Sequence, residues 1–145
     1  MIQKKQLVIH TDGGSRGNPG PAAIGVIAQL NNDEYFKIAQ YIGESTNNEA
    51  EYLALLTSIE ELLKKSTSGP LLEIRQVEWK LDSMLVVQQI NKKWKIKEPR
   101  LRRLAEQCWQ ELNKLSLPYS ISYVPRTQNK IADALVNQAL DSAGA

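Results

Sequence analysis

The chain has a single cysteine, Cys108, and no apolar run long enough to cross a bilayer. One cysteine excludes an internal disulfide, and Cys108 has no companion at the spacing of a metal site. The polar first residues, 1–5, lack the apolar stretch of a secretory signal. We therefore expect a cytoplasmic protein without a membrane segment, and we expect Cys108, which lies on an apolar helical stripe, to be a core residue.

A strong net charge is also missing, since the formal total is +2. That value is too low to indicate nucleic-acid binding by itself. The charge is uneven, however, because residues 92–103 (KKWKIKEPRLRR) hold seven basic residues and one acidic residue, a local +6. With Trp94 inside it, this basic segment is suited to follow a phosphate backbone and rest against a sugar or base. The alternative is an ordinary solvated loop and helix start.

The remaining composition, 42% hydrophobic and 23% charged over 145 residues, is typical of one compact domain. We assign residues 1–145 to a single domain whose core covers about 5–141. Three strand-like segments precede alternating helices and strands, which predicts an α/β fold with a mixed sheet flanked by helices. The predicted strands are 5–13, 22–30, 34–42, 72–81 and 119–124; the predicted helices are 48–65, a short one after 83, 99–115 and 128–140, with a loop at 66–70.

The most informative stretch is TDGGSRGNPG, residues 11–20. The apolar residues 7–10 predict a buried strand, and Asp12 follows at its end, directly before a glycine-rich turn. This arrangement presents one carboxylate in an open site on a rigid support. The alternative is an ordinary Asp-Gly hairpin turn.

Three more acidic residues occupy positions from which a side chain can reach such a site. Glu51, with Glu49 as its nearest rival, is in the first turn of the long helix, Asp82 ends a strand, and Asp133 is early in the last helix. Each alone is explained by helix-terminal preference, capping or surface exposure. Together they are the hard oxygen ligands that Mg²⁺ and Mn²⁺ prefer. Two such ions about 4 Å apart support phosphodiester cleavage.

The motifs TDGGSRGNPG, TNNEAEY, LDS and NKIADAL occur in the order and at about the spacing of the type 1 ribonuclease H family (ribonuclease HI). The chain resembles that family over residues 7–140. The resemblance implies a ribonuclease H-like fold with a five-stranded mixed sheet flanked by helices. It also implies an endonuclease that hydrolyses the RNA strand of RNA/DNA hybrids with two Mg²⁺ ions, or Mn²⁺ in their place, and leaves 5′-phosphate and 3′-hydroxyl ends. A monomer is the simplest expectation.

Matched position by position, the resemblance assigns metal binding and catalysis to Asp12, Glu51, Asp82 and Asp133. Asp12 would bridge both ions, Glu51 and Asp82 would complete the ion at the leaving oxygen, and Asp133 would help place the ion that activates water. The resemblance also implies contacts with the hybrid. These are assigned to Gly13, Ser15, Asn18, Thr46 and Asn47, with Thr46 at a DNA phosphate.

The chain departs from the family pattern in three places. Many members carry a histidine in the loop before the last carboxylate, but here the loop reads SYVPRTQNK, and Arg126 either meets substrate phosphate or forms a surface salt bridge. The only histidine, His10, is expected to be a packed strand residue. Glu44 stands where some relatives have an arginine. The basic protrusion is absent as in compact variants, so hybrid affinity is assigned to Lys92, Lys93, Trp94, Lys95 and Lys97.

Two other functional classes stay open. A non-catalytic RNA/DNA hybrid-binding module is one, although such modules usually lose a carboxylate and all four are present here. Another metal-dependent nuclease on the same fold, either an exonuclease or a nuclease for double-stranded RNA, is the second, because one fold can host several phosphoryl-transfer activities.

Overall fold

The computed structural model describes residues 5–68 and 74–145. Within these residues, five strands and four helices follow one another, with a short 3₁₀ turn before the last helix. In order they are β1 (Lys5–Ser15), β2 (Gly20–Leu30), β3 (Asp33–Ser45), α1 (Asn47–Ser68), β4 (Ile74–Leu81), α2 (Met84–Ile90), α3 (Pro99–Leu112), β5 (Tyr119–Tyr123), the 3₁₀ turn (Arg126–Gln128) and α4 (Lys130–Ser142).

The five strands form one mixed sheet in the order β3-β2-β1-β4-β5. The first three strands pair antiparallel, whereas β4 runs parallel to both β1 and β5. The predicted five-stranded mixed sheet flanked by helices is therefore confirmed. Because β1 and β4 are parallel neighbours with Thr11 opposite Leu81, the residues that follow them meet at one edge of the sheet.

Helices cover both faces of the sheet. On β2, Val26 and Ala28 belong to the large core beneath α1 and α3, whereas Ala23 packs against Val136 of α4. Side chains alternate between the faces of a strand, so α1 and α4 lie on opposite sides. Gly25 allows α4 to approach closely, because a Cβ at this position would overlap the Ala132 carbonyl.

Several element boundaries differ from the prediction. The strands β1, β2 and β3 are longer than predicted, because their antiparallel pairing continues further toward the turns. Ser15 of β1 still pairs with Ala22 of β2, and Gly20 of β2 still pairs with Ser45 of β3. The loop predicted at 66–70 is wrong at its start, since α1 continues to Ser68; residues 69 and 70, and the first two of the strand predicted at 72–81, lie outside the described residues.

At the C-terminal side, α3 ends at Leu112, and α4 begins at Lys130, after the 3₁₀ turn. Cys108 is buried on α3 in the large core, as predicted. Residues 1–4 of the polar start lie outside the described residues. Among the described helices, none combines the length and apolarity needed to cross a membrane.

Candidate metal centre

Three carboxylates, from β1, from α1 and from the residue after β4, meet at the point where the pairing of β1 with β4 ends. Among residues 5–68 and 74–145, Asp12, Glu51 and Asp82 form one group in which one carboxylate oxygen from each residue lies within 4.8 Å of the other two. Asp12 is on β1, Asp82 directly follows β4, and Glu51 projects from the N-terminal part of α1. An all-carboxylate set of this kind fits a hard divalent cation such as Mg²⁺ or Mn²⁺.

The close approach of Glu51 to Asp12 depends on a glycine. The backbone N–H of Gly13 donates to the Glu51 carboxylate and also to Asp12 Oδ1, at 3.0 Å for the latter. A Cβ at Gly13 would overlap the backbone carbonyl of Ala50, so only glycine allows α1 to sit this close to β1. The Asp-Gly pair is therefore part of a continuous strand that supports the site, and it is not the tip of a hairpin.

Burial and mutual repulsion raise the pKa values of the two inner carboxyl groups. Burial raises the pKa of Asp12 to about 7, and the negative charges of Asp82 and Asp133 act in the same direction, against the hydrogen bonds from Glu51 and Gly13. Burial, followed by the charge of Asp12, raises the pKa of Glu51 well above its usual range. A divalent cation would relieve both effects, since it compensates the charges that burial and crowding make unfavourable.

Asp133, the fourth predicted carboxylate, lines the same cleft but lies outside the three-residue group. It occupies the first turn of α4, and its Oδ1 is 3.5 Å from Nη2 of Arg126. The cleft has a volume of about 460 Å³ and also receives Arg126 itself. The structure thus brings all four carboxylates to one cleft, and three of them have oxygen atoms within 4.8 Å of one another.

Glu49, the rival of Glu51, is engaged elsewhere. The Glu49 N–H donates to the Thr46 hydroxyl at 3.1 Å, and the Thr46 N–H donates back to the Glu49 carboxylate at 3.4 Å. The Thr46 hydroxyl also donates to this carboxylate, at 2.9 Å. This reciprocal arrangement is a capping box at the start of α1. Glu49 therefore stabilises a helix terminus, and its carboxylate does not join the acidic group.

The predicted hybrid contacts in the glycine-rich segment are tied to the start of α1. The backbone N–H and hydroxyl of Ser15 both donate to Asn47 Oδ1, at 2.9 and 3.1 Å, and Asn47 N–H donates to Asn18 Oδ1 at 3.0 Å. Gly13, Ser15 and Asn47 line the carboxylate cleft. Asn18 and Thr46 line a neighbouring cavity of about 560 Å³, which Arg100 also lines.

The cleft contains residues that the sequence reasoning did not assign. Arg16 projects into it and pairs with Asp141 at 2.7 Å, and Tyr123 and Asn137 contribute to its wall. The sequence could have indicated Arg16 as a residue of the cleft, because it is a basic residue inside the glycine-rich segment that follows Asp12. Tyr123 and Asn137 carried no comparable signal, because they reach the cleft only through the packing of β5 and α4.

The predicted basic segment forms a separate surface. Lys92, Lys93, Trp94 and Lys95 line a cavity of about 370 Å³ that does not include the carboxylates. The ammonium of Lys92 lies 4.9 Å from the ring centroid of Trp109, a cation–π distance. Trp94 is 48% exposed. The segment therefore presents positive charge and an accessible aromatic ring together.

Comparisons with known proteins agree with this architecture. A family model described as "Reverse transcriptase-like" matches residues 10–139. The chain is 38% identical to ribonuclease HI of Halobacterium salinarum over 92% of this chain and 64% of that protein. It is also 38% identical to a bifunctional protein of Mycobacterium tuberculosis, over 95% of this chain but only 36% of that protein. The ribonuclease H of Nitrosomonas eutropha is 31% identical over 95% of this chain and 91% of that protein.

Two solved structures superpose closely. The RNase H1 of Halobacterium salinarum matches with a TM-score of 0.85 and 36% identity, covering 94% of this chain and 98% of that chain. LC11-RNase H1, solved in complex with an RNA/DNA hybrid, matches with a TM-score of 0.87 and 38% identity, covering 96% of this chain and 99% of that chain. All four carboxylate positions lie inside residues 10–139, the range that the family model matches.

Proposed function

The chain belongs to the ribonuclease H family, and on that premise we propose that it is an endonuclease that hydrolyses the RNA strand of RNA/DNA hybrids, leaving 5′-phosphate and 3′-hydroxyl ends. The observation that carries the proposal is the meeting of Asp12, Glu51 and Asp82 within 4.8 Å in an open cleft. Further support comes from a similar protein whose structure contains an RNA/DNA hybrid.

The carboxylates would hold two Mg²⁺ ions, with Mn²⁺ as an alternative. We assign Asp12 to both ions, Glu51 and Asp82 to one, and Asp133 to the other. Bound ions of this kind lower the pKa of water and stabilise negative charge on a leaving oxygen. The chain itself supplies rigidity, because Gly13 N–H holds the Glu51 carboxylate and two parallel strands fix Asp12 beside Asp82.

The substrate would lie along the rim of the cleft. We assign close contacts with the minor groove of the hybrid to Gly13, Ser15 and Asn47, because backbone and short polar groups can reach 2′-hydroxyls there. Asn18 and Thr46 are assigned to the DNA strand in the adjacent cavity. Arg126, with a side chain that is 81% exposed beside Asp133, is assigned to a substrate phosphate at the cleft mouth.

The basic segment would bind the hybrid on a surface that is separate from the carboxylate cleft. Lys92, Lys93 and Lys95 are assigned to backbone phosphates, and Trp94 to a sugar or base. We also propose that the active form is a monomer. The cytoplasmic location stays a prediction.

A cleavage assay with defined substrates tests the proposal. The purified protein is incubated with Mg²⁺ and a strand-labelled RNA/DNA hybrid, with single-stranded RNA, duplex RNA and duplex DNA in parallel, and with Asp12→Asn as the inactive control. We expect internal cuts in the RNA of the hybrid alone, lost in the variant while hybrid binding persists. Tight hybrid binding without cleavage in Mg²⁺ and in Mn²⁺, or cleavage of duplex RNA or from RNA ends, would overturn it.

A further inference from the structure

A hydrogen-bonded chain joins His10, Asn129 and the backbone of Thr11. The Asn129 side chain is buried, with the residue only 1% exposed. Its Nδ2 donates to the Thr11 carbonyl at 2.9 Å, and its Oδ1 lies 3.0 Å from Nδ1 of His10. Because the amide nitrogen is already committed to Thr11, the amide oxygen must accept, and His10 must donate from Nδ1.

These hydrogen bonds join β1, which carries Asp12, to the start of α4, which carries Asp133. Thr11 directly precedes Asp12 on β1. Asn129 directly precedes α4, and its carbonyl accepts from the N–H of Asp133 at 3.1 Å. One buried amide therefore connects the strand that carries Asp12 to the helix turn that carries Asp133.

We propose that His10 is a positioning residue, which holds the Asn129 amide in the one orientation that fixes Asp133 relative to Asp12. The inference rests on the proposed function, since it concerns the placement of a carboxylate in the same metal site. His10 touches neither the carboxylate group nor the cleft, so its action is through Asn129.

Loss of the imidazole donor would leave a buried acceptor without its partner, a state that is costly and that structures avoid by rearranging. Space for a rearrangement exists beside Asn129, where a cavity of about 210 Å³ is lined by His10, Ile27, Thr127 and Lys130. A water molecule that replaced the imidazole would satisfy Oδ1, but it would not be anchored to β1. The start of α4 would then lose part of its fixed position.

Two substitutions separate the hydrogen bond from the volume of the ring. His10→Asn keeps a nitrogen donor attached to Cγ, in the place of Nδ1, whereas His10→Phe fills the space without a donor. We expect His10→Phe to raise the Mg²⁺ concentration for half-maximal cleavage about tenfold and to lower kcat, as substitutions behind metal ligands do. The KM for the hybrid should stay near that of the wild type, and His10→Asn should restore most of the loss.

Matched controls test whether Asn129 transmits the effect. Gln128→Ala removes an exposed side chain from the same cavity and should behave as the wild type. In an Asn129→Ala background, His10→Phe should cause little further change, because the two residues act as one unit. Equal losses in His10→Asn and His10→Phe, or independent effects of His10 and Asn129, would overturn the inference.

Two readouts do not depend on cleavage. His10 is the only histidine, so its ring nitrogens are assigned without ambiguity in ¹⁵N spectra, and at pH 8 we expect the Nδ1–H tautomer. Calorimetric titration with Mn²⁺ should show weaker binding by His10→Phe than by His10→Asn. An Nε2–H tautomer, or identical Mn²⁺ binding by both variants, would overturn the role of His10 whether or not the wild type cleaves the hybrid.

Discussion

Gly13 and Glu51 are joined by a hydrogen bond from the backbone of β1 to the carboxylate of α1. This bond lies directly beside Asp12, and it exists because α1 packs onto a residue without a side chain. The geometry of the acidic group therefore depends on a contact between backbones, in addition to the carboxylates themselves.

Gly13→Ala is expected to damage both stability and activity, because its Cβ would overlap the Ala50 carbonyl and displace α1. We expect the free energy of unfolding to fall by about 2–3 kcal/mol. Displacement of Glu51 by about 1 Å should reduce cleavage by roughly a hundredfold. Urea denaturation and steady-state kinetics measure the two effects.

The matched control is Gly14→Ala. A Cβ at Gly14 would meet Val136 Cγ1 at 3.6 Å, an ordinary contact distance. Its free energy of unfolding should stay close to that of the wild type. Equal destabilisation by the two substitutions would show that the backbone contact at Gly13 has no special importance.

Asp12→Asn is expected to stabilise the metal-free protein at neutral and alkaline pH. The folded-state pKa of Asp12 is about 7, against an ordinary value of 3.8, so the folded state binds this proton more tightly than the unfolded state. The wild type should therefore lose stability as the pH rises from about 4 to about 7, by on the order of a few kcal/mol. The variant should lose less, because only the Glu51 carboxyl, whose pKa burial also raises, then remains of the pair. This pH range lies between the ordinary pKa of Asp12 and its raised pKa in the folded state, and within it the folded state holds more protons than the unfolded state.

Thermal unfolding in EDTA between pH 4.5 and pH 8.5 measures this difference. The variant should have the higher Tm at pH 8, with the gap closing toward pH 4.5. Mg²⁺ should reverse the gap, because only the wild type gains stability from binding the ion. Parallel pH profiles of the two proteins would contradict the assignment of the raised pKa to Asp12.

Part of this site follows from the sequence, because a buried strand is a local and periodic signal. The hydrophobic run before Asp12 and the strand before Asp82 were enough to predict two carboxylates presented by strands, whereas the parallel pairing of β1 with β4 brings the two together. The expectation that Glu51 lies in the first turn of the helix is wrong, because α1 begins at Asn47 and only Glu49 is in that turn. Local helix preference would therefore favour Glu49, and the fold selects Glu51 through the Gly13 contact, 38 residues away from Glu51.

Other features depend on long-range packing that no local pattern contains. The bond between His10 and Asn129 joins residues 119 positions apart, and the alternation of β1 predicted only a packed histidine. Strand β1 is likewise longer than predicted, because its pairing with β2 outweighs the turn preference of Gly14 and Ser15. The sequence therefore indicated the four carboxylates of the cleft, whereas the groups that orient them could be recognised only in the fold.

Glu51→Ala and Glu49→Ala are expected to have opposite effects. Glu51→Ala removes a buried carboxylate from the acidic group, so it should abolish detectable cleavage without lowering the stability of the metal-free protein. Glu49→Ala removes half of the capping box with Thr46, so it should cost about 1 kcal/mol of stability and retain kcat. Denaturation in EDTA and hybrid cleavage in Mg²⁺ distinguish the two. Loss of cleavage in Glu49→Ala with normal stability would reverse the assignment.

Replacement of Lys92, Lys93 and Lys95 by Ala is expected to weaken hybrid binding at a distance from the chemistry. These side chains line a surface cavity that is separate from the carboxylates, so KM should rise while kcat changes little. The dependence of log KM on log salt concentration should become shallower by about one unit for each phosphate contact removed. Kinetics between 50 and 200 mM salt, a range in which about six phosphate contacts would change affinity a thousandfold, measure the slope. The control is the double variant Lys37→Ala with Lys114→Ala, which removes positive charge from two surface ion pairs and should leave the salt slope unchanged. An unchanged salt slope in the triple variant would show that the basic segment is an ordinary solvated surface.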